Sequence, residues 1–169
     1  MKKLTLPERE ALRESFRPKR IRLLFIGEAP PASGRFYYSC NSGLYRAMTE
    51  AFKTVNPRIN DENFLRVFQA SGCYMVDLCS KPIDQLEASA RLRNRIAGEA
   101  PLSETLIRLR PERIAVMLRS IATHVTRAAL RATWRGEIIQ LPYPGRWSSH
   151  RAKFVGDLKP TLLELFRLL

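Results

Sequence analysis

Ile21-Arg22-Leu23-Leu24-Phe25-Ile26-Gly27-Glu28-Ala29-Pro30 is the stretch on which the fold turns. An apolar run this short, stopped by a glycine and then a proline, reads as a strand rather than a helix. Its residues do not alternate between apolar and polar, so both of its faces are covered. Strands of that kind belong to parallel sheets clothed by helices on each side.

Three further runs have the same character. They are Gly72-Cys73-Tyr74-Met75-Val76-Asp77-Leu78-Cys79, closed by Pro82; Arg113-Ile114-Ala115-Val116-Met117-Leu118; and Gly136-Glu137-Ile138-Ile139-Gln140-Leu141-Pro142. Helical patterns fill the intervals. Residues 6–17 carry Leu12 and Phe16 at helical spacing. Asn41 or Ser42 can cap a helix with Leu44, Met48 and Phe52 inward, and Asn60 or Asp61 another with Phe64, Val67 and Phe68 inward. Two segments, 84–96 and 102–109, are expected on either side of Pro101. A helix bearing Ile121, Val125 and Ala129 follows, and a last one starts near His150, with a possible bend at Pro160. Strands alternating with helices predict a three-layer α/β/α sandwich around a four-stranded, mainly parallel sheet. No repeat or flexible linker interrupts the chain, so residues 1–169 are expected to form a single domain.

The charge speaks to partners. Twenty-nine Lys and Arg against 16 Asp and Glu leave a formal net charge of +13, which favours a polyanion such as nucleic acid or an anionic membrane surface. No run approaches the roughly 18 apolar residues that would span a bilayer, and the first residues lack a secretory signal's apolar core. A cytoplasmic protein with no membrane partner is expected. Cys40, Cys73 and Cys79 are odd in number and lack paired spacing, which suits reduced thiols. With only His124 and His150 to supplement them, no metal and no cofactor is expected.

In a parallel sheet the ligand site lies beyond the carboxyl ends of the strands. After the first strand come Gly27, Glu28 and Ala29, then prolines, then Phe36-Tyr37-Tyr38, whose rings could stack on a base or pack in the core. After the fourth come Tyr143-Pro144-Gly145-Arg146-Trp147-Ser148-Ser149-His150-Arg151: a wedge, cations, hydroxyls and an imidazole. Ser148 and Ser149 could hold phosphates or cap the last helix.

Leu24-Phe25-Ile26-Gly27-Glu28-Ala29-Pro30 resembles the first motif of the uracil-DNA glycosylase superfamily, closest to its GEAPG form. Val76-Asp77-Leu78 is similar to that family's strand end bearing a base-reading side chain, often Asn. The segment Tyr143-Pro144-Gly145-Arg146-Trp147-Ser148 resembles the second motif, HPS or NPS followed by an intercalating wedge. The set occurs in family order over nearly the whole chain. Departures are as informative. Ala29 occupies the water-activating position, Tyr143 replaces the motif histidine, Asp77 replaces Asn, and three cysteines cannot supply a four-cysteine iron–sulfur site.

The resemblance implies a DNA glycosylase that hydrolyses the N-glycosidic bond of a damaged or deaminated base, uracil or a relative. The base must first be flipped from the stack, at a cost of roughly a few kcal/mol. Trp147 or Arg146 would fill the gap, with Ser148, Ser149, His150 and Arg151 along the DNA. Gly27, Ala29, Phe36, Tyr37, Tyr38 and Asp77 would surround the base. Tyr143 or backbone N–H groups near Glu28 would donate to the departing base, and Glu28 would orient water or else bind neighbouring backbone donors. Ionised Asp77 is acceptor-only, which suits a base edge with adjacent donors; otherwise it caps or salt-bridges a loop. A non-catalytic DNA-binding member of the same fold is the alternative, and a small-molecule nucleotide hydrolase a third class. The sequence does not specify the oligomeric state.

Overall fold

A computed structural model of the protein describes residues 3–145 and 147–167. The elements run α1 (Leu6–Ser15), β1 (Leu23–Gly27), α2 (Gly43–Lys53), α3 (Phe64–Ala70), β2 (Cys73–Asp77), α4 (Ala88–Leu109), β3 (Arg113–Val116), α5 (Ala122–Arg131), β4 (Glu137–Gln140) and α6 (Ser148–Arg167). The sheet order is β2-β1-β3-β4, and each of its pairings is parallel. The architecture is therefore α/β with a four-stranded parallel sheet.

Order and handedness assign the layers. The path from β1 to β2 moves one way across the sheet, while β2 to β3 and β3 to β4 move the other. Right-handed crossovers place α2 and α3 on one face and α4 and α5 on the opposite one. The packing agrees: α2 lies against α6, and α4 against α5. Leu23, Leu24, Phe25 and Ile26 are wholly buried between the layers. The connections run to opposite sides of the boundary between β1 and β3, so the crevice at their carboxyl ends is the switch point of the sheet.

Local chemistry explains the helix starts. Thr5 and Glu8 form a capping box on α1, Ser42 Oγ accepts from Tyr45 N at 3.0 Å, and Asn60 and Asn63 bond each other's backbone ahead of α3. Asn41 instead accepts from Phe36 N.

One expectation is corrected. Pro101 does not divide two helices but lies inside the unbroken α4. An interior proline costs about 3 kcal/mol, which is offset here because both halves of α4 are pinned. Leu102, Leu106 and Leu109 are buried after Pro101. Before it, Glu99 meets His124 of α5 at 2.6 Å, and Gly98 lies so close to the backbone of Leu78 that a Cβ would overlap the Leu78 carbonyl oxygen. Pro160 likewise sits inside α6 without ending it, between buried Leu158 and Leu162. Among the described residues no helix is long and apolar enough to cross a membrane.

Candidate nucleic-acid interface at the carboxyl edge

The parallel sheet delivers the ends of all four strands to one edge, so Glu28, Asp77 and Tyr143 share it. Glu28 stands at the switch point. Its backbone is held, since its carbonyl accepts from Cys79 N at 2.8 Å and that of Gly27 from Leu78 N at 2.9 Å. Its side chain, only 11 % exposed, faces the start of α4. Arg91 donates to it through Nε at 3.0 Å and also through Nη2; Arg95 donates through Nε at 2.6 Å. These two arginines stand at i and i+4, on one face of α4. Burial alone would raise the Glu28 pKa, but the hydrogen bonds and charges of Arg91 and Arg95 outweigh it and hold the carboxyl below its usual range. Glu28 is an ionised acceptor already in use. Guanidiniums, rather than the neighbouring backbone donors expected as one alternative, bond its carboxylate.

Arg95 extends the network by donating to Ser120 Oγ at 3.3 Å. Ser120 lines a cleft of about 340 Å³ with Leu118, Arg119, Pro142, Tyr143, His150 and Lys153. Tyr143 is 51 % exposed. Burial of its hydroxyl and the negative charge of Glu28 both push its pKa up, so it stays a protonated donor at neutral pH. Next to the cleft, Gly145 takes a left-handed φ of 52°, and His150 packs over it with Nδ1 2.7 Å from where a Cβ would stand. Trp147 is 70 % exposed. Ser148, Ser149, His150 and Arg151 form the first turn of α6, and Arg151 also lies 3.9 Å from Glu50 of α2. Arg146 lies outside the described residues.

Gly27 sits where neighbouring strands need close approach: a Cβ would stand 2.7 Å from Asp77 Oδ1. The other oxygen of Asp77 accepts from Arg13 Nη2 of α1 at 3.0 Å. Burial, working against Arg13, raises the Asp77 pKa. Of the two roles open to Asp77, this geometry supplies the partner for an ion pair. Ala29 packs against the core.

The expected stacking platform is corrected. Phe36, Tyr37 and Tyr38 are all buried. Tyr37 is enclosed by Tyr45, Phe64 and Phe68. Tyr38 stacks on Phe16 and bonds the backbone of Met75, while Phe36 lies under the Arg13 guanidinium at 5.5 Å. Burial of aromatic area outweighs any benefit of holding three rings open to water. The open rings at this edge are Tyr143 and Trp147.

No protein-family model matches the chain, and a search of curated proteins finds no match either.

Sequence reading missed Arg91, Arg95, Arg119, Ser120 and Lys153. For the first two the i, i+4 spacing was a usable signal of a shared face, though not of its target.

Proposed function

We propose that the protein binds DNA across the carboxyl edge of its sheet and hydrolyses the N-glycosidic bond of a damaged or deaminated base drawn into the cleft beside Tyr143. The observation that carries the reading is Trp147. An indole 70 % exposed at the head of α6, next to a cleft bordered by Arg119, His150 and Lys153, has no packing role proportionate to its size. A wedge that fills an opened base stack does need that exposure. The net charge of +13 and the likeness of the Gly27 turn and the Tyr143 loop to glycosylase motifs support the same reading. Tyr143 would donate to the negative charge that develops on the departing base. The proposal includes a cytoplasmic site of action, in keeping with three free thiols.

Binding without hydrolysis is the second reading. It is favoured by one observation: the carboxylate at the switch point, Glu28, is already held by two guanidiniums.

The test is a panel of duplexes, each with a single altered base, assayed for binding over a range of salt and for alkali-labile sites after incubation. Affinity should fall with salt at a slope of about −0.9 per phosphate contacted. Trp147→Ala should weaken binding to duplex with an unpaired base far more than to plain single strand. Binding with no alkali-labile product from any duplex would leave the second reading, and no binding at low ionic strength would remove both.

A further inference from the structure

Two arginines forked onto one carboxylate at a switch point form the kind of site a phosphate would occupy. Guanidinium donors fit carboxylate and phosphate oxygens with the same bidentate geometry. Arg91 and Arg95 stand in the first two turns of α4, where the helix dipole adds positive potential. Arg95 reaches Ser120 on the wall of the cleft. We infer that Arg91 and Arg95 constitute a phosphodiester site which Glu28 occupies as a built-in competitor, so that a strand entering the cleft must displace the Glu28 side chain to engage them.

Three features point to competition rather than a passive buried ion pair. The backbone of Glu28 is fixed by the Cys79 amide, so the side chain alone can leave. The cluster is covered unevenly: Glu28 and Arg95 are mostly enclosed, but the Arg91 side chain is 34 % exposed and gives an anion a way in. Asp84 also acts on the charge of Arg91, but its carboxylate accepts from the Ala32 amide rather than from a guanidinium, so among the described residues Glu28 is the carboxylate that bonds both arginines. A phosphodiester could bridge to Arg91 first and then replace the carboxylate at Arg95. Glu28 would thereby weaken adventitious binding of the chain to any polyanion, leaving affinity to depend on what else the ligand satisfies in the cleft.

The inference rests on the DNA-binding reading, and the experiment separates the two. Binding of a labelled, unmodified single-stranded oligonucleotide is measured for the wild type and for Glu28→Gln, with Glu87→Gln as a control. Glu87 is an exposed residue immediately ahead of α4; its backbone carbonyl accepts from Arg91 N, while its carboxylate is not among the groups that bond either guanidinium. Glu28→Gln should bind about five- to tenfold tighter, with a salt slope steeper by about 0.7 for one more phosphate engaged on a single strand. Glu87→Gln should gain twofold or less. Adding Arg91→Ala to Glu28→Gln should abolish the gain. Equal gains in the two single variants would reduce the effect to bulk charge, and an unchanged or weaker Glu28→Gln would overturn the inference. Should that variant fail to fold, Glu28→Asp keeps the charge but is too short to span both guanidiniums. It should gain about twofold, and no gain overturns the inference equally. If the wild type binds no DNA, titration with inorganic pyrophosphate decides: binding by Glu28→Gln alone keeps the masked site, and binding by neither removes it.

Discussion

Two carboxylates end neighbouring strands. Asp77 is the last residue of β2, in register with Gly27 of β1, and Glu28 follows Gly27 directly. Both are largely covered, yet their protonation equilibria move in opposite directions. Glu28 receives two guanidiniums and is held below the usual carboxylate range; Asp77 receives one and is raised. Desolvation is the largest influence on each, so the sign is decided by the number of charge-assisted hydrogen bonds set against it. The neighbours also differ in reach. Asp77 is turned under α1, while Glu28 borders the open cleft through Arg95 and Ser120.

The largest effect expected from breaking this contrast is that of Arg13→Ala. It removes the ion-pair partner of buried Asp77, leaving Arg9 to act on it only at longer range, and should cost about 3 kcal/mol at pH 7, as breaking a covered ion pair does. Because the folded-state pKa of Asp77 is raised, its proton binds more readily in the native state. The loss should therefore shrink as pH falls through that raised value. Glu28 has the opposite sign: its contribution is complete above its unfolded pKa and is lost as pH falls through the lowered native one. Urea denaturation followed in steps from pH 7 down to pH 3 reads the difference.

Gly27→Ala should have an intermediate effect. Its Cβ would stand 2.7 Å from Asp77 Oδ1 and must turn that carboxylate away, at about 1–2 kcal/mol. In the Arg13→Ala background the carboxylate has no partner to lose, so the cost should fall. A double-mutant cycle that comes out additive would show that the two changes do not act through Asp77.

The smallest effect is that of Asp77→Asn. It removes a desolvated charge and keeps the shape, and Arg13 keeps its two hydrogen bonds to Glu10, so stability should change by less than about 1 kcal/mol at neutral pH. The pH dependence tied to Asp77 should flatten, and the base preference of any DNA binding should stay as it was. A shift of preference toward uracil would instead make Asp77 a reader of the base.

The strands were legible because apolar runs ended by Gly27 or Pro82 leave a parallel sheet as the simplest solution. With that sheet came the shared edge of Glu28 and Tyr143, since parallel strands have no other way to end. What the sequence conceals are decisions made by packing. Pro101 reads as a break, and only the grip of Leu78, His124 and the sheet on α4 carries the helix through it. Phe36-Tyr37-Tyr38 looks the same in sequence whether it faces a ligand or Phe16, Phe64 and Phe68. The partners of Glu28 lie 63 and 67 residues away, beyond any local pattern.

The missing side chain at Gly98 acts as an alignment stop. It lets α4 rest directly on the Leu78 carbonyl, and Leu78 is itself tied to the Gly27 carbonyl that precedes Glu28. At a rise of about 1.5 Å per residue, Arg95 is roughly 5 Å along the helix from that stop and Arg91 roughly 10 Å. A rigid rod seated so near its working end transmits little angular error to Arg95 and more to Arg91. A methyl group at position 98 would lift the rod from its seat and open the fork around Glu28 without touching any member of it.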